Sequence, residues 1–158
     1  MEKKMAEVRV QGTNVYAFDG TTITQLACLT AIDLGGDSTT RIEKTCLDET
    51  QSKSYLTGLA DPAQGSLGFN LDTENESHLQ MIDWAETKKD GLEFYMGSSE
   101  GTAAPTATGG VVTLPATRSW WSFKGGISTP VPSFEADALV GYTVTLERET
   151  TVAFTPKT

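Results

Sequence analysis

FKGGISTPVPSFEADALVGYTVTLERET, residues 123–150, opens and closes as β-strand and breaks in between. In its last third Tyr142, Val144 and Leu146 alternate with Thr143, Thr145 and Glu147. That period of two puts one strand face in a core and the other in water. Pro130 and Pro132 interrupt the first half, where a proline cannot donate to a ladder. Glu135 and Asp137 then make the link acidic. Strands joined by irregular polar links imply a β-protein built of short segments, and the rest of the chain follows that pattern.

The chain has 158 residues, 38% of them hydrophobic, with 15 glycines. This size suits a single domain spanning 1–158 with a core of its own. Recurrent Thr, Ser and Val favour strands over long helices. No apolar run approaches the roughly 20 residues of a membrane span, so no membrane partner is expected. The start, MEKKMAEVRV, lacks the apolar stretch of a signal peptide, which implies synthesis in the cytoplasm without export by that route. A net charge of −9 repels phosphate. That charge serves solubility in the plain reading, and in a sharper one it keeps DNA from adhering.

Residues 1–10 read as a polar arm with one strand-forming patch, EVRV. VYAFD is a short strand ending at the turn DGTT. TQLACLTAIDL, GGDST and TRIEKTCLD read as a hairpin centred on Asp37. Its register opposes Cys28 to Cys46, Ile32 to Ile42 and Asp33 to Arg41, leaving Gln25, Asp33, Arg41, Glu43 and Thr45 on a polar face. Residues 48–65 read as a polar connection, and SLGFNLD as a strand. One helix is expected at about 73–89, opened by a Thr73–Glu76 capping box and closed at Gly91, with Leu79, Met81, Ile82 and Ala85 buried. LEFYM is a strand, 97–110 a flexible loop by composition, and VVTLPATRSWWSFKGGIS is strand interrupted at Pro115. The expected architecture is mainly β, a sandwich or barrel with one flanking helix.

Catalytic chemistry finds no footing. His78 lacks a marked nucleophile partner and reads as a solvated helix residue. DTENE lacks the central glycine and spaced glutamate of a calcium loop. GGDS precedes a strand, so it is no phosphate loop. Cys28 and Cys46 read as free thiols, too few for a zinc site. Trp120 and Trp121 face opposite sides of a strand, so at most one could stack on a sugar. No cofactor, metal or catalytic residue is expected.

The run TCLDETQSKSYLTGLADPAQGSLGFNLD, residues 45–72, resembles the signature stretch of phage tail tube proteins, the major tail proteins of long-tailed phages. Thr45, Asp48, Thr50, Gly58, Leu59, Asp61, Gly65, Asn70 and Asp72 carry the likeness. The opening stretch is similar to the family's C-terminal end through Phe123, Gly125, Ile127, Ala136, Asp137 and Thr143–Leu146. The family's frequent glycine after the last strand is replaced by Glu149 and Thr150. The resemblance implies a structural virion protein, not an enzyme, whose hexameric rings stack into a hollow tail tube that conducts viral DNA without binding it. No further immunoglobulin-like domain is expected. Implied partners are other copies of the chain and the tape measure, tail terminator and tail tip proteins. On that reading Gln25, Asp33, Arg41, Glu43 and Thr45 face the lumen. Met1, Val8, Val10, Gly35 and Asp37 meet the next ring, and Trp120, Phe134 and Asp137 lie between subunits. A free-standing β-sandwich binding or capsid decoration module, and a tube of a contractile or type VI-like system, remain the alternatives.

Overall fold

The computed structural model describes residues 7–158; Met1 and most of the proposed arm lie outside them. The chain runs β1 (Asn14–Phe18), β2 (Ile23–Leu26), β3 (Leu29–Asp33), β4 (Ser38–Glu43), β5 (Tyr55–Asp61), β6 (Gln64–Asn70) and α1 (Glu76–Thr87). It continues with β7 (Leu92–Gly97), β8 (Thr106–Thr108), β9 (Val111–Thr113), β10 (Trp120–Ser133), β11 (Gly141–Arg148) and β12 (Ala153–Thr155). The main sheet is antiparallel in the order β2-β1-β7-β10-β11-β6-β3, with β12 added beside β10. β4 with β5, and β8 with β9, form separate two-stranded ribbons.

The opening stretch becomes the centre of the sheet. β10 does not stop at its prolines: it continues to Ser133, pairing Val131 with Thr143 and Ser133 with Gly141 across a bulge after Ser128. Thr129 in the bulge takes φ +50°. The prolines are tolerated because β7 leaves β10 at Gly125, so beyond it one edge of β10 has no partner strand needing N–H donors.

Leu67, Phe69, Leu92, Phe94, Phe123, Ile127, Val144 and Leu146 project from one face of this sheet and pack under α1, which contributes Met81, Trp84 and Ala85. At about 1.5–3 kcal/mol per fully buried large apolar side chain, this layer is the dominant stabilising element.

The two edge strands, β2 and β3, are consecutive in the chain, separated only by Ala27 and Cys28. The sheet therefore curls back toward itself without closing into a barrel, because no ladder joins them. α1 holds that junction. Ala27 N–H donates to Ser77 Oγ at 3.1 Å, and His78 Nε2 lies 2.8 Å from the Ala27 carbonyl. His78 Nδ1 accepts from Asp72 N–H at 3.2 Å, so Nε2 carries the proton and donates. The imidazole is fully buried and 4.5 Å from the Phe69 ring.

These facts correct several expectations. His78 is a buried tie, not a solvated helix residue. Asn75, not Thr73, caps the helix by accepting from Ser77 N–H, and Lys88 in the left-handed region ends it before Gly91. Leu79 is exposed while Trp84 takes its place in the core. The expected Asp37-centred hairpin does not exist: β3 pairs with β6 and β4 with β5, so Asp33 opposes Ser66 and Arg41 opposes Thr57. Cys28 and Cys46 lie exposed in the loops after β2 and after β4 as free thiols, not opposed in the core. The 48–65 connection contains β5, and 97–110 contains β8.

Arg118 holds the loop after β7 in place. It is fully buried and donates to the carbonyls of Ser98 (2.8 Å), Gly97 (2.9 Å) and Ala103 (3.1 Å) and to Asn14 Oδ1 (3.1 Å). Among the described residues no carboxylate pairs with it. A Cβ at Gly97 would stand 2.6 Å from the guanidinium, so only glycine lets the fork approach. Arg118→Met strands these acceptors and should cost about 3 kcal/mol. At roughly 2–4 °C per kcal/mol for a domain of this size, the midpoint of thermal unfolding should fall by roughly 6–12 °C. Arg118→Lys should recover little of the loss, since one ammonium cannot reach four acceptors. Circular dichroism melts of the three proteins measure this.

Candidate functional site

β4 and β5 form a ribbon standing off the sheet, with every residue of β4 exposed and only Gly58 of β5 partly covered. Ile42 and Leu56 are cross-strand partners in it, and Leu47, Tyr55 and Leu59 also stand in solvent. Local pairs hold its shape. The Arg41 guanidinium sits 3.9 Å over the Tyr55 ring, Glu43 is 3.8 Å from Lys53 Nζ, and Thr45 Oγ1 accepts from Ser54 N–H at 2.9 Å. Three of the five polar residues expected on one hairpin face are thus braces within this arm. A two-stranded ribbon without a core of its own is marginal in water, and its exposed apolar residues are available to a partner surface.

The arm leaves the sheet at Leu34–Asp37 and returns through Pro62 and Ala63. Arg148, at the end of β11, pins this hinge. Its side chain is 1% exposed; Nε donates to the Leu34 carbonyl at 2.8 Å and an Nη to the Thr150 carbonyl at 3.2 Å. The remaining Nη donates to the Asp37 carboxylate. Asp37 also accepts from Ala63 N–H at 3.3 Å, linking both strands of the hinge. The Arg148 hydrogen bond, chiefly, holds the Asp37 carboxyl below its usual range. Asp33 Oδ1 accepts from Gly35 N–H at 2.8 Å, and Gly35 has φ +71° with Gln64 O where a Cβ would go.

The sheet face turned away from α1 buries Tyr16, Phe18 and Trp120 toward β1, β7 and β10 and is small and polar along β6 and β11. It carries Thr143, Thr145 and Glu147 of β11 opposite Gly68, Ser66 and Gln64 of β6, with Asp33 beside Ser66 and Gln25 beside Tyr16. Gln25 and Asp33 of the expected lumen set lie on this face, at opposite edges of the sheet; Arg41, Glu43 and Thr45 lie on the arm. Tyr95 on the same face donates to Glu93 at 2.7 Å. Burial, then the carboxylate, pushes its phenol well up, so it stays protonated and acts as a brace.

At the far end of β10 and β11 the connecting tip exposes Val131, Phe134 and Leu139. Phe134 and Asp137, both expected at an interface, sit there, and Asp137 takes φ +60°. Trp120 is different: it is 1% exposed, its ring 6.0 Å from Tyr16 and its Nε1 donating to Pro115 O at 2.8 Å. It offers no surface to another subunit, and the half-buried Trp121, 5.4 Å from Phe154, occupies the accessible position instead. Val8 and Val10 are exposed beside it. The sequence flagged neither Arg148 nor Arg118; an arginine near a strand end is the only hint either leaves.

No His, Cys, Asp or Glu cluster able to hold a metal occurs among the described residues, and no helix there is long and apolar enough to cross a membrane. The chain matches the family model described as phage tail tube, TTP, lambda-like, over residues 6–158. It is 34% identical over 142 residues, 84% of each chain, to Structural protein 3 of Pseudomonas phage PAJU2. Its fold is similar to a chain of the SPP1 tail tube, with TM-score 0.58 and 11% identity over 95% of this chain and 80% of that one. It is likewise similar to a chain of a gene transfer agent tail, with TM-score 0.57 and 15% identity over 93% of this chain and 98% of that one. A chain of the anti-feeding prophage baseplate aligns with TM-score 0.60 and 10% identity over 99% and 98%. The chain belongs to the lambda-like phage tail tube family: it is a structural protein of the virion tail and not an enzyme.

Proposed function

We propose that copies of this chain close into hexameric rings, that the rings stack into a hollow tube, and that viral DNA travels through the bore to the host. The β4–β5 arm carries this reading: a ribbon with exposed apolar residues and no core is built to be covered by another subunit. The baseplate chain of similar fold comes from a structure described as 6-fold symmetrised, and the gene transfer agent tail from one with C6 symmetry, which supports the ring size. Met1, Val8, Val10, Gly35 and Asp37 fall in or beside the arm hinge and the N-terminal segment, and we assign them to contacts between rings. Phe134 and Asp137 belong to contacts between subunits. Tape measure, terminator and tip proteins are the further partners, and synthesis takes place in the host cytoplasm.

The polar face of the main sheet suits the bore. Threonine, serine and glycine make it smooth, and Asp33 and Glu147 make it anionic, so phosphates within a Debye length of about 8 Å are repelled and find no binding minimum. Gln25 and Asp33 belong to that wall, and Arg41, Glu43 and Thr45 join it where the arm of one subunit runs along it.

Negative-stain microscopy of the purified protein should show rings or tubes about six subunits around; monodisperse monomers at every concentration would overturn the reading. Thr145→Lys keeps the strand and adds one cation per subunit to the bore. DNA release from particles carrying it should slow at low salt and recover as salt rises; unchanged kinetics at low salt would remove that face from the bore. A third prediction concerns the hinge. Asp37 has its carboxyl pKa lowered in the folded state, so its contribution is present above the unfolded value of about 3.9 and is lost as pH falls through the lower folded value. Light scattering of assembled tubes should therefore stay flat from neutral pH to about pH 4 and drop below it. Asp37→Asn should weaken assembly at neutral pH and blunt the acid limb.

A further inference from the structure

Two exposed apolar surfaces lie at opposite ends of β11. At its start, the β10–β11 tip exposes Val131, Phe134 and Leu139, and Phe134 is 76% accessible. At its end, where Arg148 holds Leu34, a groove of about 380 Å³ is lined by Val8, Val10, Ile32, Leu34, Met96 and Trp121. At about 30 Å³ per water, the groove has room for about a dozen waters, enough for large side chains. The tip cannot reach the groove of its own chain, because strand β11 of 8 residues separates them, about 25 Å at some 3.4 Å per residue.

The charges match. Between Val131 and Leu139 the tip carries Glu135 and Asp137 and no basic residue. The groove lining carries Arg9 and no acid. The Arg9 carbonyl accepts from Ser99 Oγ at 2.8 Å, which fixes the backbone of the groove wall.

We infer that the β10–β11 tip of one copy, led by Phe134 and Leu139, seats in the groove of a second copy, with Glu135 or Asp137 meeting Arg9. The contact uses two different surfaces, so it is heterologous and repeats from copy to copy, generating a ring or a stack. This inference rests on the tube reading and names two of its contacting surfaces. It also explains why the tip is apolar although nothing among the described residues covers it.

The test uses the full chain with Cys28→Ser and Cys46→Ser, adding Val10→Cys, Phe134→Cys or both. Under mild oxidation the double variant should give a ladder of disulfide-linked oligomers, and a mixture of the two single variants should give the mixed dimer. Neither single variant alone should cross-link. Arg9→Glu should raise the concentration needed for polymerisation about tenfold, and Glu135→Lys with Asp137→Lys should restore it. Tubes that form without the mixed cross-link, or an Arg9→Glu chain that polymerises normally, overturn the contact while leaving the tube intact. Absence of any oligomer from the unmodified chain overturns the tube reading, and this contact with it.

Discussion

Backbone that leaves a β-sheet loses its ladder partners, and its carbonyls must find donors elsewhere. In this chain two buried guanidinium groups supply them. Arg148 serves the point where the arm departs, and Arg118 serves the loop after β7. Both spend most of their donors on main-chain carbonyls, so each fixes the path of irregular chain and not merely a charge. A lysine could not do this, because its donors diverge from one nitrogen while the guanidinium presents a planar fork. His78 plays the same part in neutral form at the junction of the two edge strands. The sheet supplies the rigid body, and these three side chains decide where its appendages point.

How much of this the sequence revealed depends on range. The period-two runs of 65–71, 92–96 and 141–148 mark strands because alternation is local. The helix shows in its composition, but its cap does not: Asn75 and Thr73 are both credible caps, and tertiary ties from Ser77 and His78 to Ala27 select the first. The arm was misread for a physical reason. β3 and β4 are adjacent in sequence and separated by a glycine turn, which is the local signature of a hairpin. Here the glycine bends one continuous excursion at Gly35, and β5 and β6 return along it, so each strand finds a partner far along the chain. Local turn chemistry cannot tell a reversal from a hinge. The prolines of β10 misled for the mirror reason, since a break in donors is harmless on an edge without a partner strand. The family signature at 45–72 is legible as a pattern, while its physical meaning, an arm tip, a second ribbon strand and a return into the sheet, lies in long-range pairing that no local pattern carries.

The division of labour among faces follows from the same geometry. One face of the main sheet is consumed by α1 and the core. The other is small and polar along β6 and β11 and buries Tyr16, Phe18 and Trp120 farther along, and much of the exposed apolar surface lies on the arm, the tip and the groove beside Trp121. A monomer destined for solution would gain by making those places polar, since scattered apolar residues are tolerated but protruding ribbons of them invite association. Their retention at extremities, with the β6–β11 part of the free face kept polar, separates the two demands of the proposed tube. In that tube, extremities are where neighbouring copies are reached, and the polar face is where a passing polyanion must not be held.

Charge makes that separation consistent. The net −9 of each chain is multiplied in any assembly, and like charges oppose association over a Debye length. Association must therefore rest on contacts that are apolar or locally matched in sign, and the basic side chains are placed accordingly. Arg148 and Arg118 are buried in structural forks, Lys124 and Lys53 are paired with Glu93 and Glu43, and Arg41 lies over Tyr55. With these five of its 12 basic side chains engaged within the fold and a net charge of −9, the chain presents DNA with a predominantly anionic surface, and the apolar surface at its ends is what it offers to further copies.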